Sequence, residues 1–108
     1  MANQPIPVET ANLMIAAYRK YMEDHDVNMD QQTQAVSFTG TSLMNWLNEV
    51  MPYADEIRIF NGLYDAGTHS GRTTVILWPY RDGQPAIRQQ AVNGDNYIQP
   101  YNEGQLYP

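Results

Sequence analysis

Apolar side chains recur at three- and four-residue intervals close to the N-terminus, after the prolines at positions 5 and 7. This spacing is typical of an amphipathic helix, and it predicts one over residues 8–23. Glu9 in the first turn and Arg19 and Lys20 near the end suit the helix dipole. The apolar stripe, which we expect to be core, consists of Ala11, Met14, Ala17, Tyr18, Tyr21 and Met22.

A polar connection leads to a short strand and a second helix. Val36 and Phe38 alternate with polar neighbours, which predicts a strand around residues 35–38. The hydroxyl-rich residues 39–42 offer N-caps to the helix that follows, and Pro52 ends it. A strand-helix-strand unit of this kind predicts a parallel pairing with a right-handed crossover.

Two longer strands follow. In residues 56–64, Ile57 and Ile59 lie on one side and Arg58 and Phe60 on the other. Residues 73–78 are apolar on both faces, as in a central strand. These two strands are therefore expected to carry the core.

The dipeptide Asp82-Gly83 predicts a tight hairpin turn, because both central residues of a type I′ turn need positive φ. A return strand is expected over residues 86–92. Pro85 has no N–H to donate, which places this strand at the edge of the sheet.

The fold class that follows is α+β in a single domain over residues 1–108. Two helices pack on one face of a small, mainly antiparallel sheet of three to four strands, in the order α-β-α-β-β-β. Residues 93–108 have no helical or strand period, yet they carry several large apolar groups. We expect an irregular C-terminal tail that packs on the surface of the domain.

The segments EIRIFNGLYDAG and GRTTVILWPYRDGQPA resemble a widespread family of small, uncharacterised bacterial proteins. The family pattern reads I-R-I-aromatic-x-G-x-Y, then a T-x-hydrophobic strand that ends in D-G. The resemblance implies that the strand runs through Asn61 and Gly62, with Gly62 as a bulge or a close-contact position. It brings no assigned activity. The matching positions are Ile57, Arg58, Ile59, Phe60, Gly62, Tyr64, Thr74, Asp82 and Gly83.

Composition narrows the classes of partner. Twelve acidic against six basic residues give a formal net charge of −6, which argues against binding to nucleic acid or to an anionic membrane. The absence of cysteine excludes disulfides and thiolate metal sites. The N-terminus lacks the basic and long apolar regions of a signal peptide, so we expect a cytoplasmic, soluble protein.

The loop of residues 65–72 contains the best candidate for a site. Arg72 and the backbone N–H groups beside Gly67 and Gly71 could bind an anion, with His69 changing its charge near neutrality. The alternative is an ordinary hairpin connection made of turn-forming residues. Neither a phosphate-loop motif nor a nucleophile elbow is present, and Asp65, His69 and Ser70 are too close in sequence for a catalytic triad.

Two further features have a structural and a functional interpretation. Residues 24–30 begin like a calcium loop, but Met29 replaces the required glycine and Ala35 the bidentate glutamate, so no metal site is expected. Arg58, on a predicted inner strand, needs a partner such as Asp55 or Glu56, or it faces a cleft or an oligomer contact.

The function indicated is a non-enzymatic binding or protein-interaction module. We expect it to self-associate through an exposed face of the sheet or through the aromatic tail, because aromatic residues are plentiful and no catalytic constellation is present. A structural subunit of a larger assembly fits the same pattern. The alternative is an anion- or small-molecule-binding domain or small enzyme that uses Arg58, Asp65, His69 and Arg72, without cofactor.

Overall fold

A computed structural model of the chain describes residues 3–88 and 97–107, and its class is α+β, as predicted. Two helices and two antiparallel sheets make up the regular structure of these residues. The elements are α1 (Val8–Asp24), β1 (Ala35–Ser37), α2 (Gly40–Val50) with a short 3-10 helix (Met51–Tyr53), β2 (Glu56–Leu63), β3 (Thr73–Arg81), β4 (Gln84–Pro85) and β5 (Gln105–Tyr107). Neither helix is long and apolar enough to cross a membrane.

The chain divides into two compact units between Gln32 and Thr33. In the first unit, α1 has the predicted bounds to within a residue, but none of its residues is buried. Met14, Tyr18 and Tyr21 are 60, 48 and 60% exposed, so the expectation that this stripe is core is wrong. The three- and four-residue spacing of apolar residues shows that the helix has an apolar side, but it does not show which part of the protein covers that side.

The second unit contains both sheets. Its larger sheet has the order β2-β3-β4, and β2 and β3 pair without interruption from Glu56↔Tyr80 to Leu63↔Thr73. The chain reverses at Asp82 and Gly83, whose φ angles of 51° and 77° are both positive, as predicted. The return strand is β4, only two residues long, and it precedes the predicted range: residues 86–88 are not part of it, and residues 89–92 lie outside the described residues.

The smaller sheet corrects the predicted topology. β1 does not form a parallel pair with β2; it pairs antiparallel with β5, with Val36 opposite Leu106. The C-terminal segment is thus a structural part of the second unit, where Ile98 and Leu106 are 2 and 6% exposed. A three-residue strand has too few alternating positions for its partner to be recognised from the sequence.

The core of the second unit lies between α2 and one face of the β2-β3-β4 sheet. Val50 from α2, Ala54, Ala86 and Ile98 form its centre, and Ile57 packs against them. Leu77 and Pro79 are buried on the same face, which we call the core face. The opposite face presents Arg58, Phe60, Trp78 and Tyr80, and we call it the aromatic face.

Candidate interaction surface at the open edge of the sheet

The backbone hydrogen bonds of the larger sheet show which groups of β2 are unpaired. Leu77 of β3 both donates to and accepts from Tyr101, at 2.9 and 2.8 Å. In an antiparallel pair each residue directs its N–H and C=O to one side only, and the side alternates along the strand. Ile59 lies opposite Leu77, so its N–H and C=O point away from β3.

The same alternation holds at the end of the strand. The N–H of Tyr64 donates to the C=O of Arg72 at 3.0 Å, so even-numbered residues of this segment face β3. Ile57, Ile59, Asn61 and Leu63 consequently direct four N–H and four C=O groups to the other edge of β2. Within the described residues, no strand pairs with that edge.

Exposed apolar side chains flank this open edge. Ile59 and Leu63 are 66 and 63% exposed, and Phe60 is 38% exposed. Ile59 and Leu63 share a face with Ile57, but the core covers only the Ile57 end of the strand. Proteins usually protect such an edge with lysine, proline or a bulge, and residues 56–63 contain none of these.

The aromatic face carries the side chain that sequence analysis singled out on this strand. Arg58 pairs with Glu56 at 2.8 Å, and its guanidinium lies 4.1 Å from the centre of the Tyr80 ring. The predicted pairing is therefore confirmed. Its predicted place on an inner strand is wrong, because β2 is at the edge of the sheet and the Arg58 side chain is 44% exposed.

Phe60 and Trp78 extend this face. Their ring centroids are 5.9 Å apart in an edge-to-face arrangement, which is a favourable geometry for two aromatic rings. The Trp78 indole Nε1 is buried and has no hydrogen-bond partner within residues 3–88 and 97–107. Aromatic side chains in contact with one another thus lie on the aromatic face of the sheet, next to the open edge of β2.

The loop after β2 differs in part from the predicted anion site. The N–H groups of Ser70, Gly71 and Arg72 donate to carbonyl groups of this same hairpin, at 3.2, 2.7 and 2.9 Å. They are therefore not free to bind an anion, which corrects the expectation for the backbone beside Gly71. Asp65 and His69 are exposed, and the His69 ring lies 5.6 Å from that of Tyr64.

Arg72 is the loop residue that retains binding capacity. It is half-buried, and among the residues that the structure describes its buried Nε and Nη2 atoms have no hydrogen-bond partner. Arg58 is not brought to the same place, because Tyr64, opposite Arg72, lies about six residue steps further along the chain, a span of about 20 Å at about 3.3 Å per residue. The four predicted ligand-binding residues thus fall into two places, Arg58 on the sheet and the other three around the loop.

Two grooves lie elsewhere in the second unit, along the segment of residues 97–100. One, of about 460 Å³, is lined by Trp46, Glu49 and Arg88, and the other, of about 370 Å³, by Trp78 and Pro85. Glu49 and Arg88 are paired at 2.8 Å. None of the four predicted ligand-binding residues lines either groove.

The acidic segment after α1 is engaged with basic residues of the helix. Asp24 pairs with Lys20 at 2.6 Å, and Asp30 with Arg19 at 2.8 Å. The hydrogen bond to Asp30 raises the pKa of the Arg19 guanidinium above its ordinary value.

Over residues 3–88 and 97–107, no three His, Asp or Glu side chains come together as a metal site.

Sequence analysis missed the open edge, although a signal for it exists. Residues 56–63 mix charged, amide and glycine positions with apolar ones, whereas residues 75–79 are apolar on both faces. The first pattern suits an edge strand and the second a central one.

No family model, curated protein or solved structure matches the chain.

Proposed function

We propose that this chain is a non-enzymatic protein-interaction module that binds an extended strand along the open edge of β2. The observation that carries the proposal is the row of outward-facing N–H and C=O groups of Ile57, Ile59, Asn61 and Leu63, with which no described residue pairs. An added strand would satisfy these groups, and main-chain hydrogen bonds of this kind are how strand addition generates affinity.

Side chains beside the edge support the same function. Ile59 and Leu63 are 66 and 63% exposed, so most of their apolar surface is in contact with water. A bound strand would remove part of this surface from water, which is favourable. The strand is also electrically neutral, since it contains one glutamate and one arginine. We further propose that the chain belongs with the small bacterial proteins whose strand-pair pattern it resembles, which assigns no activity to it.

The test uses peptides selected on the wild-type protein from a random library displayed on phage. Bound peptides are expected to shift the NMR signals of the Ile57, Ile59, Asn61 and Leu63 amides. Ile59→Lys should abolish this binding, because an edge lysine disfavours strand addition. Leu13→Lys is the matched control: Leu13 is 65% exposed against 66% for Ile59, and the charge change is the same.

Two results would contradict the proposal. One is peptide binding that leaves those four amides unshifted. The other is equal binding by Ile59→Lys and wild type, which would show that the open edge is not the binding surface.

A second candidate function is supported by Arg72. No described residue accepts a hydrogen bond from its buried Nε and Nη2 atoms, and a buried cation is costly unless an anion or another acceptor satisfies it. An anion beside Arg72, in reach of the exposed His69, would supply those acceptors. Inorganic phosphate is the probe for this site, and its binding should raise the thermal stability of the protein.

A further inference from the structure

The open edge of β2 is self-complementary, because its outward-facing residues are arranged symmetrically along the strand. Ile57, Ile59, Asn61 and Leu63 are spaced symmetrically about Phe60. A second β2 that runs antiparallel, related by a two-fold axis through Phe60, brings Ile57 opposite Leu63 and Ile59 opposite Asn61. All eight unpaired backbone groups of each copy then find partners, since every such opposed pair exchanges two hydrogen bonds.

We propose that the strand bound at this edge is β2 of a second copy of the chain, in the register that places Phe60 opposite Phe60. This inference rests on the proposed function and names the partner of that same edge. The two three-stranded sheets then join into one continuous sheet with β2 of each copy at its centre.

Neighbouring registers leave backbone groups unpaired. A two-fold axis through Ile59 places Leu63 opposite Asp55, but the Asp55 N–H already donates to Tyr80 at 2.9 Å. An axis through Asn61 places Ile57 opposite Asp65, which lies beyond the strand in the loop. Only the axis through Phe60 uses every group on the edge.

Side chains agree with this register. On the core face, Ile57 would contact Leu63 of the second copy, and the exposed Ile59 would lie next to both Ile59 and Leu63 of that copy. On the aromatic face, Arg58 lies opposite Gly62, which has no side chain that would obstruct it. Like charges are therefore not opposed, although each chain carries a net charge of −6.

A cysteine scan tests the register directly, because the chain contains no cysteine and each introduced thiol is unique. Only a cysteine on the two-fold axis lies close enough to the same cysteine of the second chain to form a disulfide. Directly opposed Cβ atoms lie about 4.5–5.5 Å apart, whereas diagonal ones lie about 7–8 Å apart. Phe60→Cys should therefore oxidise to a covalent dimer, roughly tenfold or more faster than Ile59→Cys or Asn61→Cys.

Loss of the Phe60 ring could itself weaken the protein, so a second pair of variants leaves it in place. An equimolar mixture of Ile57→Cys and Leu63→Cys is expected to form the mixed disulfide well above the share that random pairing of two thiols gives. A mixture of Ile57→Cys and Asn61→Cys is the matched control, and the mixed product should not exceed that random share there, because these positions are not opposed.

The outcomes separate this inference from the proposed function. If Ile59→Cys or Asn61→Cys forms its disulfide-linked dimer faster than Phe60→Cys does, the proposed register is overturned. If light scattering shows that the wild-type protein has the mass of one chain at millimolar concentration, the second copy is overturned as the partner. In both cases peptide binding at the β2 amides would still support the proposed function. Absence of peptide binding together with an unchanged dimer in Ile59→Lys would instead overturn both.

Discussion

Leu77 and Tyr101 exchange both of their backbone hydrogen bonds, although they are far apart in sequence. This contact lies on the edge of β3 away from β2, and together with the register of the two strands it shows the direction of the N–H and C=O groups in β2. The C-terminal segment thus defines which edge of the sheet is closed. The consequence is that β2 keeps an open edge along its whole length within the described residues.

Amide hydrogen exchange along β2 should alternate. We expect slow exchange at Arg58 and Phe60, whose N–H groups face β3, and faster exchange at Ile57, Ile59 and Asn61 in dilute solution. At high protein concentration the second set should slow as a strand pairs with the edge. NMR-detected exchange at two concentrations measures this. Uniform exchange along the strand, or no change with concentration, would contradict the pairing.

Ile98→Ala should destabilise the protein by about 2–5 kcal/mol, the usual cost when a large core side chain is truncated. Ile98 is 2% exposed and packs with Val50 and Ala86. Ile87→Ala is the control, because Ile87 is 39% exposed and should lose much less. Urea denaturation measures both. Equal losses would mean that the C-terminal segment does not contribute to the core.

Gly83→Ala should lower the free energy of unfolding by about 1–2 kcal/mol, because its φ of 77° is unfavourable for a residue with a Cβ. Gly40→Ala should act in the opposite direction, by up to about 1 kcal/mol, because this helical glycine has open space around the position of a Cβ. The comparison is made by thermal and urea denaturation. A gain in stability from Gly83→Ala would contradict the observed turn.

Inorganic phosphate should raise the melting temperature of the wild-type protein if an anion satisfies the buried Arg72 atoms. Arg72→Met should remove this response, and without phosphate it should be as stable as wild type or more so. Arg58→Met is the matched control, because Arg58 is already paired with Glu56. A phosphate response that survives in Arg72→Met would locate anion binding elsewhere.

Local patterns were sufficient for most individual elements. The period of α1, the proline that ends α2 and the Asp82-Gly83 turn depend on interactions within a few residues, and the structure has them where they were predicted. The unbroken passage of β2 through Asn61 and Gly62, which the family resemblance implied, is also present: a Cβ on Gly62 would lie only 3.0 Å from Ile76 Cδ1.

The candidate site was predicted less completely. The hairpin loop and the pairing of Arg58 follow from residue types, but the unpaired atoms of Arg72 and the open edge of β2 do not. Whether a polar atom has a partner depends on which distant segments surround it. The sequence shows which groups can form hydrogen bonds, not which of them are already in use.

The sequence by itself determined the α+β class, the presence of the two helices and of the two longer strands, and the tight turn, because periodicity and backbone preference act over short distances. Only the tertiary structure decided that β1 pairs with β5, that α1 has no buried residue and that β2 lies at an edge. These features depend on contacts between segments far apart in the chain. Such contacts are selected by the packing of the whole unit, which no local pattern specifies.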